Sequence, residues 1–405
     1  MLSSRPPARV LGRSTPADGR TRTTPQPWES PFRAVAMLLL CVGVRPTPAT
    51  IALLLTPWFL WQLRRHLVSA AGAFLILATA LGVAFTMSSG GSTPVAAFMV
   101  GVAVQGVGLG ALSQRDRIRV FELFSRLVLV LTLAWVATHV EEFRATWTST
   151  GVVGWSGHKN LFGYTLALAL VPCVWPSVHR DRPLRGRLAT LTQVVALFAL
   201  VVTTRSSGAL AVSVVVVLVG AVLRQNTPRS SSLTAGRLVI MVAVALVVLV
   251  NLTQTVELFG RDPTITGRTE VWTAVVDRLG DYAFVGDGPG TNWRGWSVGG
   301  LDGRPTALTQ EVWDAASLRV TSSHDSALEL AIVFGVPIAL AIVVLFARSI
   351  VTAARFALGA PTLVLASWTL TAMIAESFAT TPLILLGLAC VVATKPEPPA
   401  TVRQP

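Results

Sequence analysis

Long apolar blocks dominate this chain, and a helix that spans a bilayer needs about 20 predominantly apolar residues. About twelve such segments can be marked. Their approximate limits are 34–44, 49–63, 67–87, 93–112, 118–139, 161–178, 188–203, 207–223, 237–252, 326–347, 360–375 and 381–393. Hydrophobic residues make up 52% of the 405 and charged residues only 13%, where an ordinary soluble domain carries roughly 25% charged. Blocks and composition together exclude a soluble cytosolic enzyme, a disordered chain and a disulfide-rich secreted module. The expected fold is an all-α polytopic integral membrane protein with about 12 transmembrane helices. The first two segments are short and flank Arg45-Pro46-Thr47-Pro48, so residues 34–63 form either a hairpin of two spans or one broken span.

Charge sets the expected threading. Net charge is +13, but the basic residues sit in short connections between apolar blocks. They read as topology signals and not as a nucleic-acid surface. Alternate connections carry Arg64 and Arg65; Arg115, Arg117 and Arg119; Arg180, Arg182, Arg185 and Arg187; Arg224, Arg229 and Arg237; Arg348 and Arg355. The opposite short connections carry only Arg45, Arg144, Lys159 and Arg205. The positive-inside rule assigns the first set to the cytoplasm. With twelve spans both termini are then cytoplasmic. Residues 1–33, rich in Arg, Pro, Ser and Thr, read as a disordered basic tail, and 394–405 as a second short tail. The membrane domain is 34–393. Cys41, Cys173 and Cys390 all lie in apolar blocks and show neither a disulfide framework nor metal spacing.

One connection differs from the rest. Residues 253–325 form a 73-residue hydrophilic segment that this threading puts outside the cell. It holds ten of the 20 acidic residues and six arginines. So long a connection is expected to carry function and structure of its own. A short helix is expected near 269–280, where Val271, Trp272, Val275 and Val276 recur at helical spacing.

The residues able to carry chemistry cluster on this outer side. Gly157-His158-Lys159-Asn160-Leu161-Phe162-Gly163 opens a span with an imidazole, an ammonium and a carboxamide together. As a bland alternative it is an interfacial anchor. Thr203-Thr204-Arg205-Ser206-Ser207-Gly208 is a tight turn whose single Arg runs against the charge bias. Thr266-Gly267-Arg268-Thr269-Glu270-Val271-Trp272 puts Arg268 at a helix N-terminus, which favours an anion. Ser322-Ser323-His324-Asp325-Ser326-Ala327-Leu328-Glu329 sets an imidazole at the mouth of a span, with Glu329 just inside it. Gly286-Asp287-Gly288-Pro289-Gly290 contains Pro and follows no strand, so it is a turn and not a dinucleotide site. No metal-binding or Walker motif is present.

These stretches, in this order, on about twelve spans with one large outer loop after the ninth, resemble the O-antigen ligase/polymerase family. The resemblance covers roughly 34–393. Its most specific part is Gly267–Trp272, then Gly286–Gly290, then Ser323–Leu330 running into Phe334-Gly335-Val336. The Gly157–Gly163 stretch is similar to the exopolysaccharide-polymerase branch. This chain has His324-Asp325 where the family often has His-Asn. The resemblance implies a GT-C-type, inverting, metal-independent glycosyltransferase of a bacterial plasma (inner) membrane, with no cofactor. It implies a polyprenyl-diphosphate-linked oligosaccharide as donor and a glycan or lipid hydroxyl as acceptor, within envelope assembly. Arg205 and Arg268 then match donor diphosphate-binding arginines and His324 the catalytic base. His158, Lys159 and Asn160 are further candidates for substrate binding. Polymerase and ligase are not separated by these motifs. The alternatives weighed are a transporter or flippase of a lipid-linked glycan, which calls for charges along a mid-bilayer path, and a structural scaffold.

Overall fold

A computed structural model describes residues 28–40, 69–88, 93–148, 151–175, 183–225, 268–282, 284–286, 325–355, 359–376 and 381–395. Among these residues every regular element is helical. In chain order the α-helices are α1 Glu29–Leu40, α2 Ala70–Ser88, α3 Thr93–Ala111, α4 Gln114–Thr138, α5 Val140–Thr148, α6 Lys159–Leu170, α7 Leu184–Thr203, α8 Ser207–Gln225, α9 Arg268–Asp277, α10 Ser326–Phe334, α11 Val336–Arg355, α12 Ala360–Ala375 and α13 Leu383–Ala393. The segments 49–63 and 237–252 lie outside the described residues.

The core is built from helices that are apolar all round, which belong inside a bundle. All eleven residues of α13 are buried, as are nearly all of α12. Close approach depends on small residues. A Cβ on Gly106 of α3 would meet the Ala389 Cβ at 2.6 Å, so α3 lies directly against α13. On α12, Thr369 and Trp368 close over Gly387 in the same way. Around this core α4, α7 and α11 are long and apolar enough to cross a membrane. Their outward faces carry Val130, Leu133, Leu188, Leu191, Val195, Leu340 and Val344, all exposed. Such apolar faces are a liability in water and match hydrocarbon. Six further apolar helices are shorter over the described residues.

Three details depart from the sequence reading. The helix α1 begins at Glu29, inside the stretch read as a tail; Glu29 and Arg33 are both buried. The segment read as one span over 326–347 is two helices, α10 and α11. They are broken at Gly335, whose φ of 84° is left-handed. A side chain there would run into the Phe284 carbonyl, 2.7 Å from an ideal Cβ. Pro337, in the first turn of α11, completes the stop-and-restart. Finally, α6 tightens into a 3-10 turn at Val171–Val174, where Pro172 supplies no N–H for an α-helical bond. The expected short helix within the large connection is present as α9.

The helices have two distinct ends. At one, Arg117 in the first turn of α4 is buried. Its Nη1 donates to the Gly110 carbonyl at the close of α3 (3.1 Å) and to Thr394 Oγ1 just after α13 (2.9 Å). The start of α12 sits there too, since Gly359 abuts Ala353 near the end of α11. Arg115, Arg119, Arg348 and Arg355 lie on this side. The opposite end gathers the starts of α6, α8 and α10 and the finishes of α7 and α12.

Candidate functional site

At that opposite end the chain is shaped by left-handed residues. Gly151, Gly154 and Gly157 have φ of 92°, 58° and 72° and wrap the segment before α6 around Trp155. The Trp155 indole N–H donates to Thr132 Oγ1 of α4 at 3.2 Å, and its ring meets Phe162 edge-on at 5.9 Å. A Cβ on Gly154 would fall within 2.6 Å of the Phe162 ring. This loop delivers His158 as the extended N-cap of α6, exposed and making no side-chain cap bond. Lys159 and Asn160 follow, both half-buried.

The turn between α7 and α8 packs onto α6. The Val152 N–H donates to the Thr203 carbonyl at 3.0 Å. Gly163 of α6 faces Thr204, Ser206 and Ala209, and an added Cβ would sit 2.7 Å from the Ala209 Cβ. Gly208 makes room for the Tyr164 hydroxyl and lies beside Ala375 of α12. Within this turn Arg205 has φ of 50°; among the described residues it alone is a non-glycine in the left-handed region. Such a conformation costs an ordinary residue about 1–2 kcal/mol, and it clusters at functional sites. The Arg205 side chain is half-buried.

The third arm is α10. Asp325 caps it in extended conformation, its Oδ1 accepting from the N–H groups of Ala327 (2.8 Å) and Leu328 (3.0 Å). The second position of the His-Asp pair is thus a helix N-cap, a role that Asn fills equally well. Ser326 Oγ donates to the Glu376 carbonyl at 2.7 Å. The Glu376 carboxylate in turn accepts from Asn160 Nδ2 at 3.0 Å. Glu376 is 1% exposed and Glu329, in the first turn of α10, 2%.

Three of the four stretches singled out in the sequence therefore meet at one end: the first turn of α6, the Arg205 turn and the first turn of α10. Arg268 opens α9, and α9 contacts α10. Its side chain lies outside the described residues, as does His324. Glu376 was missed. Its signal was available: it is the one charged residue between Arg355 and Lys395, and an ionisable group within apolar helices marks function by default. Comparison with protein-family models, with curated proteins and with solved structures finds no match to this chain.

Proposed function

We propose that this protein is a membrane glycosyltransferase that moves or polymerises a polyprenyl-diphosphate-linked glycan at the outer membrane face, for surface polysaccharide assembly. The observation that carries the reading is the meeting of the Lys159–Asn160 turn, the Arg205 turn and the Ser326 turn at one bundle end, opposite the arginine-rich end. The proposed architecture is GT-C-type, with about twelve spans, both termini cytoplasmic and 253–325 outside. The family resemblance in the ordered motifs supplies the reaction type.

The chemistry suits these residues. A hydroxyl of the acceptor glycan or lipid attacks the anomeric carbon from behind. The bond from that carbon to the phosphate oxygen breaks, and the polyprenyl diphosphate leaves with its electron pair. Configuration inverts. Arg205 and Arg268 hold the diphosphate as its charge grows, because a guanidinium binds phosphate oxygens bidentately and stays charged. His324 takes the hydroxyl proton; an imidazole titrates in the useful range. The leaving group is already activated, so no nucleotide is consumed, and the arginines carry the stabilisation that a metal would otherwise supply.

The test uses purified protein in liposomes with a lipid-linked oligosaccharide, a chelator and no nucleotide. Elongated or transferred glycan is the expected product. Loss of product on chelation, or a requirement for ATP, refutes the mechanism.

A further inference from the structure

A carboxylate can only accept hydrogen bonds, and a carboxamide has one accepting and one donating side. That asymmetry makes the Glu376–Asn160 contact directional. With Nδ2 held by Glu376 Oε2 at 3.0 Å, the Asn160 oxygen is the side of the amide that the carboxylate does not engage. Among the described residues that oxygen has no donor. We propose that Glu376 is a positioning residue, which fixes the Asn160 amide so that its oxygen accepts from a hydroxyl of the bound glycan. The inference rests on the glycan-transferring reading of the site and adds to it a sugar contact and the residue that orients it.

The geometry around Glu376 supports positioning. Its own N–H donates to the Ala372 carbonyl at 2.9 Å, which seats it as the last link of α12. Its carbonyl takes the Ser326 hydroxyl at 2.7 Å, so one residue ties the first turn of α6 to the first turn of α10. Burial of an ionised carboxylate is costly unless it is hydrogen-bonded. A glutamine of the same shape would still link the two turns. What a glutamine cannot do is dictate which way the Asn160 amide points, because it offers donor and acceptor alike.

Four proteins test this: wild type, Glu376→Gln, Asn160→Asp and the double variant. Each is measured for melting temperature and for KM and kcat with the lipid-linked oligosaccharide. Glu376→Gln is expected to stay folded and raise KM by only about twofold, because a glutamine can hold the Asn160 amide in either orientation and so halves the productive population. Asn160→Asp sets two carboxylates against each other and should lose both stability and roughly a hundredfold in kcat/KM. In the double variant the new Asp accepts from the new Gln and still presents an oxygen outward. Stability and KM should both return to within about threefold of wild type on the kinetic scale. A double variant no better than Asn160→Asp overturns the proposal. The melting temperatures separate the two failures. Rescue of stability in a protein whose wild type transfers no glycan sinks the functional reading, and with it the sugar contact, while leaving the pair as a helix tie. An active wild type without rescue sinks the pairing alone.

Discussion

Arg117 and Arg205 stand at opposite ends of the same bundle. Arg117 is 6% exposed and donates to the Gly110 carbonyl and to Thr394 Oγ1. These are groups at helix finishes, where carbonyls lack intrahelical partners and a cation is welcome. Arg205 sits in a left-handed turn where glycine would be easier. The first arginine closes off the fold. The second occupies a position the fold makes costly for it. An arginine kept at a costly position is where binding chemistry is expected, and the contrast yields predictions on which end faces out and what each arginine supports.

The largest expected effect is all-or-none. With the site end outside, an impermeant thiol reagent should label an engineered cysteine at Gly300 and not one at Ser230. Labelling at 230 alone would invert the ends and remove the site from the lipid-linked donor proposed for it. Next comes His324→Ala. Positioned acid–base help is worth about 10²–10⁴-fold. Transfer should slow by that factor while donor binding, measured by co-sedimentation with lipid-linked oligosaccharide, stays near wild type. Unchanged turnover would take His324 out of the site and leave the rest standing.

The two arginines should then separate by readout. Arg205→Lys keeps the charge but not the planar fork. Activity should fall about tenfold or more with little change in melting temperature. Arg117→Met removes hydrogen bonds made by a charged donor to two helix ends, worth about 1.5–3 kcal/mol. It should lower stability while the surviving folded protein turns over normally. Identical behaviour of the two variants would erase the distinction between the ends.

Much of this layout could be read from the chain. Segment 360–375 coincides with α12, and 93–112 and 207–223 come within two residues of α3 and α8, because apolar runs bounded by Pro, Gly or Arg fix both kind and limits of a helix. The Gly335 break was hidden by hydrophobicity that continues across it, although Gly335-Val336-Pro337 is a stop followed by a start. The short helix α5 was hidden for the opposite reason. Its nine residues include Glu141, Glu142 and Arg144, all exposed, so no apolar block marks it. The Arg205 and Asn160 turns were legible as local clusters of polar groups at helix ends. Their link through Glu376 was not, since it joins residues 216 positions apart and exists only once α6, α10 and α12 pack.

The smallest expected effect is the most particular. Left-handed backbone costs a non-glycine residue about 1–2 kcal/mol, and glycine gives back roughly 0.5–1 kcal/mol through its freer unfolded chain. Arg205→Gly should therefore gain about 0.5–1 kcal/mol, a melting temperature higher by about 1 °C in a chain of this length. The same protein should lose glycan transfer, since the guanidinium is gone. Gain of stability with loss of activity is the signature of strain kept for function. A lower melting temperature would mean that the Arg205 side chain holds the α7–α8 turn together, and the contrast with Arg117 would then be one of degree.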